Sequence, residues 1–139
     1  FNTAMMAEAV EQHGVDIACN QVEYHPLMSQ RLVLDRVRDY GMMLTAYKPI
    51  AEGQVLQEPI LNRIGDQHGK TAAQVSLRWL IQQQAVAAIP KTGNVDRCRE
   101  NLEIFDFSLT TEEMDEISTL QARNLRLLDV SLGPGWDQP

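Results

Sequence analysis

The side chains with the clearest chemical potential lie in one cationic segment that follows an apolar run. Ala87-Ala88-Ile89 predicts a buried strand, a proline ends it, and Lys91-Thr92-Gly93-Asn94 forms a polar turn. Asn94 can cap a helix that carries Arg97 in its first turn. Free backbone N–H groups at that helix start, together with Lys91 and Arg97, would form a site for a dianion such as a phosphate. A solvated basic turn after a strand explains the same residues, so this pattern alone leaves both interpretations open.

The order of the residues in this segment resembles the cofactor segment of the aldo-keto reductases. Pro-Lys-Thr is followed by an Arg, by a Glu-Asn pair and by Ile-Phe-Asp-Phe. In that family the strand is the eighth of a (β/α)8 barrel. Its Lys, its Ser or Thr, and its Arg hold the 2′-phosphate of NADPH, while its Glu and Asn hold the adenine. The resemblance therefore implies NADP as cofactor, bound by Lys91, Thr92, Arg97, Glu100 and Asn101.

Two earlier segments resemble other strands of the same family. A strand is predicted from Ile17 to Val22, and IACNQVEYHPLMSQ resembles strand six, whose Gln bonds the nicotinamide carboxamide. The resemblance implies that Gln21 bonds the nicotinamide carboxamide, since an amide side chain both donates and accepts hydrogen bonds. The alternative is a Gln side chain that faces solvent. The next predicted strand ends at Tyr47, and TAYKPI resembles strand seven, whose Tyr stacks on the nicotinamide. For Tyr47 the alternative is a core tyrosine with a bonded hydroxyl.

Two further candidates have less definite roles. Lys48 stands where the family commonly has Ser, and it could meet the cofactor's pyrophosphate or form a salt bridge with Glu52. In the family the C-terminal tail folds over the barrel mouth and shapes the substrate pocket. This resemblance implies that Trp136 lines the substrate site, and a loosely held terminal Trp is the alternative.

The family's catalytic residues are a Tyr acid with Lys, Asp and His neighbours, and all come from the first half of the barrel. The resemblance runs from Phe1 to about Trp136 and covers the second half, with Phe1 matching the end of a Ser-Asn-Phe signature after strand five. None of the three tyrosines has the catalytic context. His25 precedes Pro26 and is interpreted as a turn histidine rather than a general base. Hydride transfer to a carbonyl needs a proton donor, so we expect no catalytic residue here and no reductase activity from this chain alone.

Alternating strands and helices predict a single α/β domain over residues 1–139, with the NADP-binding segment at 87–107. Helix starts are expected at Asn2 or Thr3, Ser29, Pro59, Thr71 and Thr110. A complete TIM barrel needs about 250 residues, so we expect a partial (β/α)8 barrel of about three parallel strands with flanking helices. Such an open sheet exposes its inner face and two edges. We therefore expect a homo-oligomer, or cover from the missing half or a rearranged tail.

Composition narrows the function classes. A net charge of −7 without a basic run argues against nucleic acid, and no apolar run approaches the length of a membrane span or signal peptide. Cys19 and Cys98 form no CxxC pair and have no metal-ligand spacing with the three histidines, so we expect no metal site and free buried thiols in the cytoplasm.

Two hypotheses for function follow. In the first, the chain is the C-terminal part of an NADPH-dependent aldo-keto reductase, which reduces small aldehydes or ketones to alcohols when an N-terminal half completes it. In the second, it is a non-enzymatic oligomeric module derived from a truncated reductase, with weak nucleotide binding.

Overall fold

A three-stranded parallel sheet lies at the centre of the fold. The computed structural model describes residues 1–129 and 135–137. The strands are β1 (Cys19–Glu23), β2 (Met43–Tyr47) and β3 (Val86–Ile89), and they pair in the order β1-β2-β3. This arrangement confirms the predicted partial barrel. The first strand begins two residues later than Ile17, because its pairing with β2 begins at Cys19 opposite Met43.

Six helices and three short helical turns connect and flank the strands in the described part of the chain. They are α1 (Thr3–Ala7), which continues as a π turn (Glu8–Gln12), α2 (Arg31–Asp39), a 3-10 turn (Ala51–Gln57), α3 (Pro59–His68), α4 (Ala72–Ile81), α5 (Val95–Leu102), α6 (Thr111–Thr119) and a 3-10 turn (Leu120–Arg123). None of these helices is long and apolar enough to cross a membrane.

Side-chain caps fix most of the helix starts. Asn2 accepts the N–H of Met5 at the start of α1, and Thr71 and Thr110 form the expected capping boxes of α4 and α6. Ser29 was expected to cap α2, and this expectation is wrong. Gln30 occupies the cap position without a capping hydrogen bond, because the Gln30 amide instead donates to the Glu23 carbonyl at 2.8 Å.

The two faces of the sheet have different surroundings. Since side chains alternate along a strand, Val22, Leu44 and Val86 point to the helices and are buried with Trp79 of α4. The opposite face, here called the open face, carries residues such as Cys19, Gln21, Met43 and Ile89, which are all exposed.

One expectation about the cysteines is wrong. Both Cys19 and Cys98 are free thiols, as expected, but both are exposed rather than buried. Cys19 lies on the open face opposite Met43, where no described element covers it. Cys98 lies on α5, a helix without a buried residue.

Candidate functional site

The cationic turn after β3 has the predicted form, but three of its backbone donors are already used. The Asn94 side chain accepts the N–H of Asp96 at 2.8 Å and of Arg97 at 3.0 Å, and the Thr92 hydroxyl accepts the N–H of Asn94 at 3.1 Å. The expectation of free N–H groups at this helix start is therefore wrong for these three groups. A phosphate at this turn would be held mainly by side chains.

Two cations remain available at the turn. Asp96 pairs with Arg99 at 3.1 Å, one turn along α5. Lys91 and Arg97 are exposed, and neither has a carboxylate partner among the described residues. In a chain of net charge −7, two unpaired cations at the end of a strand form a local positive site suited to an anion.

The two predicted adenine residues have different surroundings. The Glu100 carboxylate accepts from the Thr71 hydroxyl at 2.6 Å, and its backbone carbonyl accepts from the Gln74 amide at 3.0 Å. These bonds join α5 to the start of α4. Asn101 instead lines a mostly apolar cleft of about 260 Å³ together with Thr92. The other lining residues come from α4, β3, α5 and the loop after α5: Leu77, Ile81, Ala88, Pro90, Cys98, Leu102, Ile104 and Phe105.

Gln21 and Tyr47 lie on the open face, on neighbouring strands. Gln21 pairs with Thr45, and Glu23 pairs with Tyr47, so Gln21 and Tyr47 are diagonal neighbours on one side of the sheet. The Gln21 side chain is exposed and Tyr47 is half-buried. Burial raises the pKa of Tyr47 and the charge of Glu23 raises it further, while Arg126 acts in the opposite direction.

Lys48 begins a loop with an unusual backbone. Its φ is 51°, in the left-handed region, and Ala51 and Glu52 share that conformation. The Lys48 ammonium forms a salt bridge with the Glu52 carboxylate, and this hydrogen bond raises the lysine pKa. The structure thus contains one of the two predicted contacts of Lys48, and contact with a pyrophosphate stays a prediction.

Glu23 is a buried carboxylate that sequence reasoning did not identify. The residue is 1% exposed, and its carboxylate accepts the backbone N–H groups of Leu127 at 2.6 Å and Leu128 at 2.9 Å. His25 Nε2 lies 3.2 Å from the same carboxylate. Burial raises the pKa of Glu23, but the hydrogen bonds from His25, Leu127 and Leu128 outweigh it, so the pKa is lowered. His25 is a turn histidine as expected, and it is fully buried.

These bonds fasten residues 120–129, here called the tail strap, to the end of β1. Leu125 N–H also donates to the Leu27 carbonyl at 2.8 Å, and Arg123 forms an ion pair with the nearly buried Glu58. Glu23 is at the carboxyl end of a parallel strand, where ligands bind in α/β proteins. Glu23 directly follows the strand predicted from Ile17 to Val22, and this position was the signal in the sequence that could have indicated a functional role.

Trp136 is held at several points. Its ring lies under the Arg126 guanidinium at 4.1 Å, and its indole N–H donates to Asp129 at 3.2 Å. The adjacent Asp137 accepts from the Thr3 N–H at 2.9 Å and the Thr3 hydroxyl at 2.6 Å. The alternative of a loosely held terminal Trp is therefore wrong. Contact of Trp136 with a substrate stays a prediction.

The other two tyrosines, Tyr24 and Tyr40, are hydrogen-bonded to side chains elsewhere in the chain. Tyr24 is buried, donates to Gln83 at 2.8 Å, and has a pKa raised to about 12, chiefly by burial. Tyr40 donates to the Glu11 carboxylate on the outer helices. A general acid works best with a pKa near the operating pH, so the environment of Tyr24 is unfavourable for that task.

Comparisons with known proteins agree with the motifs. The model of the aldo/keto reductase family matches residues 1–122. Glyoxal reductase of Bacillus subtilis (strain 168) is 36% identical over 138 residues, which are 99% of this chain and 48% of that protein. Aldose reductase B of Dictyostelium discoideum is 40% identical over 128 residues, covering 91% of this chain and 40% of that protein.

Solved structures show the same relation. A crystal structure provisionally described as a 2,5-diketo-D-gluconic acid reductase B matches with a TM-score of 0.95 and 49% identity, over 99% of this chain and 50% of that one. A variant of Gox0644 in complex with NADPH matches with a TM-score of 0.81 and 30% identity, over 86% of this chain and 44% of that one. The chain thus spans about half the length of these relatives. With the family model matched over most of its length, the chain belongs to the aldo/keto reductase family.

Proposed function

We propose that this chain carries the cofactor-binding part of an NADP(H)-dependent reductase that converts aldehydes or ketones to alcohols. The observation that supports this most is the pair of cations, Lys91 and Arg97, which flank the Asn94-capped turn and lack carboxylate partners among the described residues. Their proposed ligand is the 2′-phosphate that distinguishes NADPH from NADH. The relative solved with NADPH is consistent with this choice of cofactor.

The strand order suggests how one dinucleotide would lie. Gln21 and Tyr47 are on β1 and β2, while the cationic turn follows β3 at the same end of the sheet. Neighbouring strands are about 4.8 Å apart, so an extended molecule can cross the strand ends in that order. The nicotinamide would lie at Gln21 and Tyr47, and the adenosine phosphate at Lys91 and Arg97.

The cleft beside α5 suits only one part of such a ligand. At about 260 Å³ it is smaller than the roughly 300–1,000 Å³ of sites for whole drug-sized ligands. Its apolar wall and the Asn101 amide suit an aromatic base, for which an amide can both donate and accept. Glu100 already accepts the Thr71 hydroxyl through one carboxylate oxygen, and its other oxygen could accept from the same base.

The residues of this chain would bind and orient rather than exchange protons. A bound reduced nicotinamide supplies a hydride for a carbonyl carbon. Gln21 would fix the rotation of its carboxamide, and the Tyr47 ring would cover one of its faces and exclude water from it. We propose that the proton donor for the new alcohol is none of the three tyrosines, because Tyr24 and Tyr40 are bonded elsewhere and Tyr47 serves as the stacking surface.

Calorimetric titration with NADPH tests this proposal. We expect saturable binding with one site per chain, weakened by high salt because the phosphate contacts are exposed. The absence of binding at millimolar NADPH would contradict the proposed function.

The open face favours a second candidate, an oligomeric module without catalysis. Met43 is 44% exposed and Ile89 is 46% exposed, on the same side of the sheet as Cys19. Covering this apolar surface would stabilise an assembly by roughly 25 cal/mol per Å², less an association cost of about 4–15 kcal/mol. A second copy or the preceding half of a barrel could supply that cover. Nucleotide titration separates the two candidates, since only the first requires a preference for NADPH.

A further inference from the structure

Arg126 occupies a fixed position in the tail strap, at the carboxyl end of β1. On one side of it, the Leu125 N–H donates to the Leu27 carbonyl at 2.8 Å. On the other side, the N–H groups of Leu127 and Leu128 donate to the buried Glu23 carboxylate. Three hydrogen bonds to neighbouring residues therefore hold the backbone around Arg126. A side chain on a backbone held in this way can position a charge for recognition with less loss of entropy.

The Arg126 guanidinium has an incomplete set of partners. It lies over the Trp136 ring, with 4.1 Å from its central carbon to the ring centroid. Its Nη1 is buried and has no hydrogen-bond partner among the described residues. A buried donor without an acceptor costs free energy, and native structures rarely keep one without a reason. A ligand that accepts this hydrogen bond would remove the cost.

The surroundings of Arg126 place it beside the proposed nicotinamide position. Leu127, its neighbour in the chain, is bonded to Glu23, and Glu23 pairs with Tyr47 across β1 and β2. Burial raises the pKa of Tyr47, and the positive charge of Arg126 opposes that effect, as expected of two groups that are close enough to interact electrostatically. The guanidinium therefore lies near the place where a carbonyl substrate would meet the cofactor.

The other charges in this region select the kind of anion. Glu23 supplies negative charge beside Tyr47, and Asp129 accepts the indole N–H of Trp136. The nearby cation Lys48 is already paired with Glu52. The repulsion from these carboxylates is twice as large for a dianion as for a monoanion. The planar guanidinium fork also matches the geometry of a carboxylate. A monoanionic carboxylate is thus a better ligand here than a phosphate.

We propose that Arg126 is an anion-recognition residue of the substrate site and that the substrate is an oxo acid, whose carboxylate binds the guanidinium. This inference rests on the proposed function, because it takes the nicotinamide to lie at Tyr47. Trp136 supports the guanidinium from behind through its ring and serves as a spectroscopic reporter of its occupancy.

Nuclear magnetic resonance of the two tryptophan indole N–H groups tests the inference in the 139-residue chain. Pyruvate and methyl pyruvate are a matched pair of probes that differ in the negative charge. We expect pyruvate to shift the Trp136 resonance saturably and to bind at least about tenfold more tightly than the ester, since a hydrogen bond to a charged group is the difference. The Trp79 indole, which is bonded to Met114 and Ser118 in the core, is the internal reference and should not move.

Three variants complete the test. Arg126→Met should remove the preference for pyruvate, and Arg126→Lys should keep the charge and part of the preference while losing the planar fork. Arg63→Met is the matched control, because Arg63 is an exposed arginine of α3 paired with Glu116. It should leave the titration unchanged. If Arg126→Met does not fold, the comparison of Arg126→Lys with the wild type still decides the outcome.

Several results would overturn the inference. They are equal binding of pyruvate and its ester, an unchanged preference in Arg126→Lys and Arg126→Met, or equal shifts of both tryptophans. Loss of pyruvate binding on saturation with NADPH would assign the guanidinium to the cofactor's pyrophosphate instead, and would also overturn it. A pyruvate preference at Arg126 in a chain that binds no NADPH would refute the proposed function and leave the anion site standing.

Discussion

Substitution of Glu23 by Gln should detach the tail strap from the sheet. The Glu23 carboxylate accepts two backbone N–H groups of the strap and faces the His25 ring, and the Glu23 and His25 side chains are both buried. A Gln amide has nearly the same shape but only one accepting oxygen, so its NH2 group must face a donor. At least one charge-assisted hydrogen bond is lost, which costs about 1.5–3 kcal/mol.

Thermal unfolding followed by circular dichroism measures this loss. For a domain of 139 residues, roughly 3–5 °C per kcal/mol applies, so the melting temperature at neutral pH should fall by about 5–15 °C. Glu103→Gln is the matched control, because its side chain is exposed and such substitutions usually change stability by less than about 0.5 kcal/mol.

The pKa of Glu23 determines how the stability difference between the wild type and Glu23→Gln depends on pH. The folded-state pKa of Glu23 lies below the ordinary value of 4.5, so the carboxylate stabilises the fold above that value. That contribution is lost as the pH falls through 4.5 and then through the folded-state pKa. The difference in stability between the wild type and Glu23→Gln should therefore be largest near neutral pH and shrink in acid. A difference below 0.5 kcal/mol at neutral pH, or one that stays constant into acid, would refute this account of the strap.

Three further predictions concern packing, assembly and activity. Gly65→Ala should destabilise the fold by about 1–3 kcal/mol in denaturant unfolding, because the added Cβ would lie 2.4 Å from the Lys70 carbonyl oxygen; Gly93→Ala, with nothing within 4 Å, should be nearly neutral. Light scattering at micromolar concentration should give a mass above the 15.7 kDa of one chain, and a 15.7 kDa monomer that binds no hydrophobic dye would show that the open face is covered internally. Finally, the chain alone should not oxidise NADPH with a panel of reactive aldehydes, and turnover that survives rigorous purification would reveal an unidentified proton donor.

Local patterns predicted the elements of the fold well. Capping boxes at Thr71 and Thr110 involve residues three positions apart, so the sequence contains both partners of each bond. The three strands were likewise recognisable as apolar runs between turn residues. The cap of α2 was mistaken because the competing partner of Gln30 is the Glu23 carbonyl, seven residues earlier at the end of β1.

The candidate site was predictable in its residues more than in its contacts. The cationic turn follows from Lys91 and Arg97, but the use of its N–H groups by Asn94 depends on cap geometry. The bonds between Glu23 and the strap join residues more than 100 positions apart in the chain. No periodicity or spacing carries such information, which is why Glu23 and Arg126 became visible only in the folded chain.

Recognition of the 2′-phosphate by the turn after β3 is the central claim, and the affinity ratio of NADPH to NADH tests it most directly. We expect the wild-type chain to bind NADPH at least about tenfold more tightly than NADH, a difference of about 1.4 kcal/mol. Arg97→Ala should weaken NADPH binding by a similar factor and leave NADH unchanged. Arg99→Ala is the matched control on the same helix, since Arg99 is paired with Asp96, and it should keep the wild-type ratio. Equal affinities for the two nucleotides, or the same ratio in Arg97→Ala and Arg99→Ala, would contradict the claim.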